Sequence, residues 1–446
     1  MIFKISKAPV LRTSMKNIFV ITLLIVCIFI KGLAQERQDL AAQILANKKL
    51  DTVYKKAADL LSKGFNAGDG YPQVWIRDFN TFIETSCKVY NRDSIRANLL
   101  TFLKLQQANG EIVDGYVLKG HVTWNDPNIY TSSNDKSHVG FKNTVETDQE
   151  TSLIQAIAKY IRITGDSSIL QEKIAGKTTL QRLEISIAYL LNNRYSIKYH
   201  LLTGATTQDW GDVQIEGGAV VDIDKNTHWA IDIYDNAMFV IALNDMAGFY
   251  KKGTDRQKWQ QLKATTITSI KKYLWDAKKH KFIPHLYLDK SPFPANFNEN
   301  KIYFHGGTAI AIEAGILSKN EIILVNDDML RNVKLSGAPS IGLTLYPVYP
   351  EDIYKNSSAS KPYIYQNGGD WTWFGARMIQ QLTRYGFIKE AYEELQPMLN
   401  RTIKDHGFYE WYGIDGKPNG SAAFKGSAGV LAKAIDELKE WAKHNK

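Results

Sequence analysis

Two carboxylate residues, Asp212 and Glu410, each lie in a short segment rich in aromatic side chains. Asp212 closes the segment 209–212 (DWGD), and Glu410 is at the centre of the segment 408–412 (FYEWY). Neighbouring aromatic rings make the surroundings less polar, which raises the pKa of a carboxyl group that has to donate a proton. Hydrolysis of a glycosidic bond needs one such acid and one carboxylate that activates water. A turn aspartate and a surface glutamate are the alternative interpretation of the same spacing.

A second group of residues has the chemistry of a sugar-binding surface. Arg77 and Asp78 follow Trp75 directly, and an Arg–Asp pair makes bidentate contacts with neighbouring hydroxyl groups. The same pair at a helix start also satisfies itself without a ligand. Trp371 and Trp373 fit a stacking platform for a sugar ring as well as they fit a core. The 10 Trp, 23 Tyr and 18 Phe residues exceed what a core requires, and their flat apolar rings suit the faces of sugars.

The sequence contains no pattern that indicates a metal or an organic cofactor. His228, His285 and His305 are scattered, and no two of them have the spacing of metal ligands on one helix. A phosphate-binding loop, a dinucleotide-binding fingerprint and a Gly-x-Ser-x-Gly nucleophile turn are also missing from the sequence. We therefore predict neither a catalytic metal nor another cofactor.

Apolar residues spaced by three and four positions predict twelve helices. Asp255 and Ser318 are expected N-caps, and Gly165 is expected just past a helix end. The predicted helices lie near 37–64, 78–90, 92–108, 147–164, 177–193, 232–251, 255–275, 306–316, 319–333, 369–385, 387–404 and 421–443.

Polar and aromatic clusters precede or open every second predicted helix. Such clusters occur at 75–78, 146–150, 234–236, 305–307, 366–371 and 419–421. In a ring of helical hairpins every second helix is an inner one, and all inner helices point the same way. The clusters would then meet at one mouth, and helix capping alone does not explain six of them in this register.

Twelve helices without a strong strand run predict an all-α fold of six helical hairpins. A closed (α/α)6 toroid and a linear solenoid both accommodate them, but a solenoid usually shows a sequence repeat and this chain shows none. Long irregular segments at 109–146, 194–231 and 276–305 are expected to carry function. No linker or composition break divides the chain, so we predict a single domain over 35–446.

The N-terminal segment has the layout of a secretory signal peptide. Four basic residues precede an apolar run of 13 residues, Ile18 to Ile30, and a small-residue site ends at Ala34. The run is too short for a comfortable membrane span, although a signal anchor is the alternative. We predict cleavage after residue 34, export to the periplasm or the outside of the cell, and no stable membrane association afterwards.

The charge and the cysteine content of the chain after residue 34 limit the classes of partner and the covalent links that we expect. The net charge of the full chain is +9, and five of the basic residues lie within 1–35, where there is no acidic residue, so the mature chain carries only about +4. A charge of this size does not indicate a nucleic acid partner. Cys87 alone remains, so no internal disulfide forms. We expect a monomer whose partner is an oligosaccharide or glycoside.

At these same residues the sequence resembles the six-hairpin glycosidases over roughly 70–435. It resembles most the catalytic domains of bacterial amylo-α-1,6-glucosidases, with glucoamylases and cellobiose-type phosphorylases further away. Segment 209–212 is similar to the motif that ends in the family's general acid, and 409–412 is similar to the segment with the general base. Segments 75–78 and 367–373 are similar to motifs that hold the terminal sugar and open an inner helix.

The resemblance implies an inverting mechanism in which Asp212 protonates the glycosidic oxygen and Glu410 activates water. Around them, the substrate-binding residues that it implies or that the residue types indicate are Trp75, Arg77, Asp78, Asp148, Glu150, Trp210, Asn367, Trp371 and Trp373. For Asp148 and Glu150, helix N-capping explains the residue types nearly as well. The sequence departs from debranching enzymes in lacking their common N-terminal β-domain and in having Gly211 near the acid.

Three other functions fit parts of this pattern. A glycoside phosphorylase on the same fold would need a cluster of cations near the attacking group, and none is evident. A polysaccharide lyase would prefer a basic cleft, whereas these motifs are acidic and aromatic. A non-catalytic glycan-binding protein would not depend on Asp212 or Glu410.

Overall fold

The computed structural model describes residues 32, 34–122, 129–216, 221–351, 353–354 and 361–446. Most of the expected signal peptide, residues 1–31 and 33, lies outside the described residues. The described part is mostly helical, as predicted. Its helices are α1 (residues 34–46), α2 (Lys48–Leu61), α3 (Ile76–Val89), α4 (Arg92–Leu105), α5 (Gln149–Thr164), α6 (Thr179–Asn193), α7 (Ile233–Gly248), α8 (Thr254–Tyr273), α9 (His305–Glu313), α10 (Lys319–Ser336), α11 (Thr372–Arg384), α12 (Ile388–Lys404) and α13 (Lys425–Lys443).

Short strands occupy the segments between the helices. They are β1 (Val74–Trp75), β2 (Gly115–Leu118), β3 (Ile129–Ser132), β4 (Asp135–Phe141), β5 (Lys173–Ile174), β6 (Lys177–Thr178), β7 (Tyr195–Ser196), β8 (Leu201–Leu202), β9 (Gly204–Ala205), β10 (Trp229–Ile231), β11 (Trp275–Asp276), β12 (Lys281–Phe282), β13 (Leu286–Tyr287), β14 (Tyr303–Phe304), β15 (Leu345–Tyr346), β16 (Trp411–Tyr412) and β17 (Pro418–Asn419). The largest sheet has the order β1-β2-β4-β3 and is antiparallel. Strands this short give no period-2 pattern in the sequence, so the long segments resembled irregular loops.

Six helices pack against one another in a closed ring. In chain order they are α3, α5, α7, α9, α11 and α13, and α13 packs against α3 to complete the circle. These are the six helices that the polar clusters precede, so the predicted parity of inner and outer helices is confirmed. The closed ring is the (α/α)6 toroid and excludes the linear solenoid.

The apolar core lies between the inner ring and an outer layer of helices. α2 packs on α3 and α13, α8 packs on α7, and α12 packs on α11. The main cluster of buried apolar residues extends from Ala41 in α1 to Ala442 in α13. Among the described residues, no helix is long and apolar enough to span a bilayer.

The structure corrects two details of the predicted helices. The expected helix at 37–64 is divided at Asn47, whose side chain accepts a hydrogen bond from the Lys49 amide and starts α2. Asp255 lies in the first turn of α8, whose N-cap is Gly253. Ser318 is the N-cap of α10 with a capping box to Glu321, as predicted.

Local side-chain caps are more common on the outer helices than on the inner ones. A side-chain hydrogen bond caps four outer helices locally, α2, α4, α6 and α10. Of the inner helices only α7 has such a cap, from Asp232, whereas α3, α5, α9, α11 and α13 begin without one. The first amides of a helix have no partner within the helix. The inner helices therefore leave these amides to longer-range contacts.

Candidate active site

A cavity of about 300 Å³ lies at the N-terminal ends of the inner helices. This volume is at the lower end of the range for small-molecule pockets, about 300–1,000 Å³. Carboxylates, two cations and aromatic rings line it. The lining residues are Ala67, Tyr71, Trp75, Arg77, Asp78, Asp114, Phe141, Lys142, Asn143, Glu146, Trp210, Asp212, Val221, Tyr365, Trp371, Trp373, Glu410 and Phe424.

Asp212 is held at the cavity wall by contacts from two distant segments. Arg77 Nη1 donates to Asp212 Oδ1 at 2.9 Å, and the Tyr365 hydroxyl donates to Oδ2 at 3.2 Å. The backbone amide of Asp212 donates to Gln366 Oε1 at 3.2 Å. The side chain of Asp212 keeps 29% of its surface exposed, so a ligand in the cavity reaches its carboxylate.

Glu410 lies on a second segment of the same cavity, just before β16. The Tyr71 hydroxyl donates to both carboxylate oxygens, at 3.1 and 3.2 Å, and the Ser421 amide donates to Oε2 at 3.2 Å. Burial raises the pKa of Glu410, while the Ser421 amide and the Tyr71 hydroxyl act in the opposite direction. Gly420 has φ of +69°, and a Cβ there would lie 2.4 Å from Glu410 Oε2, so a glycine is required beside the carboxylate.

Arg77 binds three carboxylates and so joins the start of α3 to two other segments. Its guanidinium lies 2.7 Å from Asp148, 2.9 Å from Asp212 and 3.0 Å from Glu146. Tyr234, in the first turn of α7, donates its hydroxyl to Asp148 at 2.8 Å. The guanidinium has little donor capacity left, so its main effect is to hold the carboxylates in place.

Asp78 and Asp114 are half-buried carboxyl groups that face the cavity. Among the described residues neither side chain takes part in a hydrogen bond with the protein, so their oxygens are available to a ligand. Burial raises the pKa of Asp78 to about 8 and that of Asp114 to about 7. Asp114 lies directly before β2, which places it beside Trp75 because β1 and β2 are paired.

The tryptophans of the cavity wall pack mainly against one another. The ring of Trp210 lies 4.7 Å from that of Trp371 and 5.0 Å from that of Trp373, with edge-to-face geometry in both pairs. Only 2% of Trp371 and of Trp373 is exposed, so they form a rigid wall more than an open platform. Trp75 is half-buried and packs on Phe141.

The profile of one protein family matches most of this chain. The profile of the glycosyl hydrolase 94 superfamily, catalytic domain, matches residues 42–407. The chain belongs to this superfamily. It is therefore a glycoside hydrolase of the six-hairpin type, as the resemblance implied. Among proteins of curated function, none matches this glycoside hydrolase significantly in sequence.

Solved structures share the fold of this glycoside hydrolase. The GH63 mannosylglycerate hydrolase of Thermus thermophilus, in complex with glucose, is 12% identical with a TM-score of 0.60 over 85% of this chain and 99% of that one. The rhamnosidase of Klebsiella oxytoca with rhamnose bound is 12% identical with a TM-score of 0.55 over 87% of this chain and 63% of that one. At this identity the similarity concerns the fold alone.

Eight of the eleven residues expected from the sequence line the cavity of this glycoside hydrolase, and three lie behind its wall. Asp148 binds Arg77, and the side chain of Glu150 accepts from the Ile112 amide at 2.8 Å. Asn367 binds the backbone of Tyr349 through both its amide nitrogen and its oxygen. Because these three side chains are buried and bonded to protein, the structure does not support the expectation that they contact sugar hydroxyls.

The structure also brings residues into the site of this glycoside hydrolase that the sequence did not single out. Tyr71, Asp114 and Tyr365 contact the cavity, and Glu146 completes the carboxylates around Arg77. The cluster at 146–150 was a signal for Glu146. Tyr71 and Asp114 lie in segments without a recognisable motif. Within the described residues, no group of three or more His, Cys, Asp or Glu side chains has the arrangement of a metal site.

Proposed function

We propose that this glycoside hydrolase cleaves with inversion and releases a terminal sugar from a short oligosaccharide or glycoside. The observation that carries the proposal is that Asp212 and Glu410 line one small cavity and are held there by independent sets of donors. Inversion needs a carboxyl pair about 6.5–9.5 Å apart, so that a water molecule fits beside the sugar.

In the proposed reaction Asp212 donates its proton to the leaving oxygen, and Glu410 removes a proton from the attacking water. The Tyr71 hydroxyl and the Ser421 amide leave the Glu410 carboxylate with one orientation and with lone pairs for water. Both donors stabilise the ionised form of Glu410, which is the form in which a general base acts.

The size and lining of the cavity support action at a chain end. A cavity of about 300 Å³ is too small for several sugar rings, which favours a terminal residue. The available oxygens of Asp78 and Asp114 would accept hydrogen bonds from hydroxyls of that residue, and Trp75 is the most exposed tryptophan at the wall. Release of internal fragments from a long polymer would contradict this part of the proposal.

The charge of the cavity favours a neutral sugar over an anionic one. Five carboxyl groups line it, Asp78, Asp114, Glu146, Asp212 and Glu410. The only lining cations among the described residues are Arg77 and Lys142, and both already contact carboxylates, Lys142 through Glu150 at 3.2 Å. A phosphate ion or a uronate would find no free cation among the lining residues that the structure describes. The phosphorylase and lyase alternatives are therefore less well supported.

We also propose that the chain is exported, as its N-terminal sequence predicts, and that it acts as a monomer. Sequencing the N-terminus of the protein from its native host should begin at Gln35. An intact N-terminus in the membrane fraction would indicate a signal anchor instead.

Proton NMR of the reaction mixture tests the mechanism. The purified protein is incubated with a panel of neutral aryl glycosides and short oligosaccharides, alongside Asp212→Asn and Glu410→Gln. We expect the first product to be the inverted anomer, and each variant to lose roughly 10²- to 10⁴-fold in kcat. Asp415→Asn, at an exposed carboxylate between β16 and β17, is the matched control and should keep the wild-type rate.

Other results of these assays would indicate a different mechanism or a different class of enzyme. Retention of the anomeric configuration would contradict inversion, and a variant with full activity would show that its carboxylate is misassigned. Cleavage that requires phosphate and yields a sugar 1-phosphate would identify a phosphorylase. An unsaturated product from a uronate polymer, detected by ultraviolet absorbance, would identify a lyase.

A further inference from the structure

The loop that carries Asp212 is attached to the start of helix α9 by a buried carboxylate. Asp209 is 1% exposed, and both of its carboxylate oxygens lie 3.0 Å from the Gly307 amide. Gly307 is in the first turn of α9, whose residues supply no local cap. The loop residue Asp209 therefore takes the place of the missing cap, from 98 positions earlier in the chain.

The fit between this carboxylate and α9 leaves little freedom. A Cβ at Gly306 would lie 2.7 Å from Asp209 Oδ2, and a Cβ at Gly307 would lie 2.7 Å from Oδ1. The backbone of Asp209 has φ of +58°, in the left-handed region, and its carbonyl accepts from Thr207 Oγ1 at 3.0 Å. Since a non-glycine residue rarely adopts this conformation, the surrounding contacts must hold it.

The backbone between Asp209 and Asp212 is also held in place, so the attachment of Asp209 fixes the position of Asp212. Gly211 lies so close to the chain that a Cβ would be 2.9 Å from the Gln208 amide nitrogen and 3.1 Å from Gln366 Oε1. The same Gln366 oxygen accepts from the Asp212 amide. The backbone on both sides of Trp210 is thus held in place, which also explains why this chain has a glycine at 211.

We propose that Asp209 is a positioning residue for the general acid: it sets the place of the Asp212 backbone relative to the inner helices. Arg77 and Tyr365 then orient the side chain. The inference rests on the proposed function, because it assigns Asp209 to the protonation step. A purely structural cap would stabilise the fold without any preference for that step.

Substrates with leaving groups of different basicity distinguish a positioning residue for the general acid from a purely structural cap. A glycosyl fluoride of the released sugar departs with little need for a proton, whereas an alkyl glycoside depends on the general acid. We expect Asp209→Ala to lower kcat on the alkyl glycoside about 10²-fold, because a misplacement of about 1 Å has an effect of that size. Turnover of the fluoride should stay within about threefold of wild type, which also proves that the variant is folded.

Two further variants make the test specific. Asp209→Asn keeps an oxygen that can accept from the Gly307 amide, and should recover most of the activity on the alkyl glycoside. Asn91→Ala removes a side-chain cap from the outer helix α4, where Asn91 accepts from the Ser94 amide at 3.0 Å. Because this cap lies away from the loop of Asp212, we expect this variant to affect both substrates equally.

The outcomes for the inference and for the proposed function are distinct. An equal loss on both substrates in Asp209→Ala would overturn the positioning role, as would a failure of Asp209→Asn to recover activity. If Asp212→Asn itself shows no dependence on the leaving group, the assignment of the general acid fails, and the inference fails with it. If Asp212→Asn shows the dependence and Asp209→Ala does not, only the inference is wrong.

Discussion

Asp212 and Glu410 are surrounded by different kinds of donor. Asp212 contacts a guanidinium and a tyrosine hydroxyl, whereas Glu410 contacts a tyrosine hydroxyl and a backbone amide without a cation. Two carboxyl groups in one site take different roles when their surroundings differ, as acid and base assignments require. At the scale of single residues, the neighbours of each carboxylate therefore matter as much as its identity.

Tyr71 offers a direct test at this scale. Its hydroxyl stabilises the ionised form of Glu410, so Tyr71→Phe should raise the pKa of Glu410 above its already raised value. Because the general base must be ionised, the acidic limb of the pH profile of kcat/KM should move to higher pH. Steady-state kinetics from pH 4 to pH 9 measure the shift.

Tyr160→Phe is the control for this variant. The Tyr160 hydroxyl donates to Asp166 at 2.7 Å, outside the cavity, so its removal should leave the pH profile unchanged. A profile of Tyr71→Phe that coincides with that of the wild type would contradict the role of Tyr71.

At the scale of secondary-structure elements, short paired strands build one wall of the cavity, which the sequence did not indicate. The pairing of β1 with β2 and of β2 with β4 brings Trp75, Asp114 and Phe141 to one wall, although they come from three segments. Hydrogen bonds between strands fix such a register even when one strand is as short as β1. The loops are therefore ordered walls of the site.

Gly115 in β2 is the position where this arrangement is most sensitive. A Cβ at Gly115 would lie 2.3 Å from the Trp75 ring, to which the residue is directly paired. We expect Gly115→Ala to displace the indole, to raise KM at least tenfold and to lower the free energy of unfolding by about 1–3 kcal/mol, as overpacking does. Kinetics and chemical denaturation measure both effects.

Gly120→Ala, just beyond the same strand, serves for comparison. A Cβ there meets nothing within 4 Å, so neither KM nor stability should change by much. Wild-type KM in Gly115→Ala would show that the position of the Trp75 ring does not affect substrate binding.

For the whole molecule, the decisive contact is the one that closes the ring. Helix α13 packs on α3, and Gly429 allows the two backbones to approach: a Cβ at Gly429 would lie 2.2 Å from the Phe82 Cβ and 2.4 Å from its Cα. The first and last inner helices are joined here although they are more than 300 residues apart in the sequence. The cavity depends on this closure because residues before α3 and before α13 both line it.

Gly429→Ala should therefore weaken the whole molecule. Because its clash is with backbone and cannot be relieved by rotating a side chain, we expect Tm to fall by several degrees, which corresponds to roughly 1–3 kcal/mol. Differential scanning calorimetry measures the change. Gly248→Ala, at the end of α7, meets nothing within 4 Å and should keep the Tm of the wild type. An unchanged Tm in Gly429→Ala would show that the ring tolerates a wider contact at this position.

Local patterns were sufficient to find most of the fold. The spacing of apolar residues located the helices, because helical periodicity depends on neighbours only three and four positions apart. The alternation of polar clusters identified the inner helices. Ser318 shows the same locality, since its capping box involves only Glu321. Asn47 was missed because the apolar spacing continues across it while the backbone does not.

Long-range contacts decided which of the candidate side chains reach a ligand. Asp148, Glu150 and Asn367 resemble site residues in the sequence, but the fold surrounds them with protein donors. Tyr71 and Asp114 carry no motif, yet the fold brings them to the cavity. The physical reason is that a buried polar group needs a hydrogen-bond partner, and the tertiary structure determines which partner is near. In this protein such partners lie tens to hundreds of residues away in the sequence, so local patterns do not reveal them.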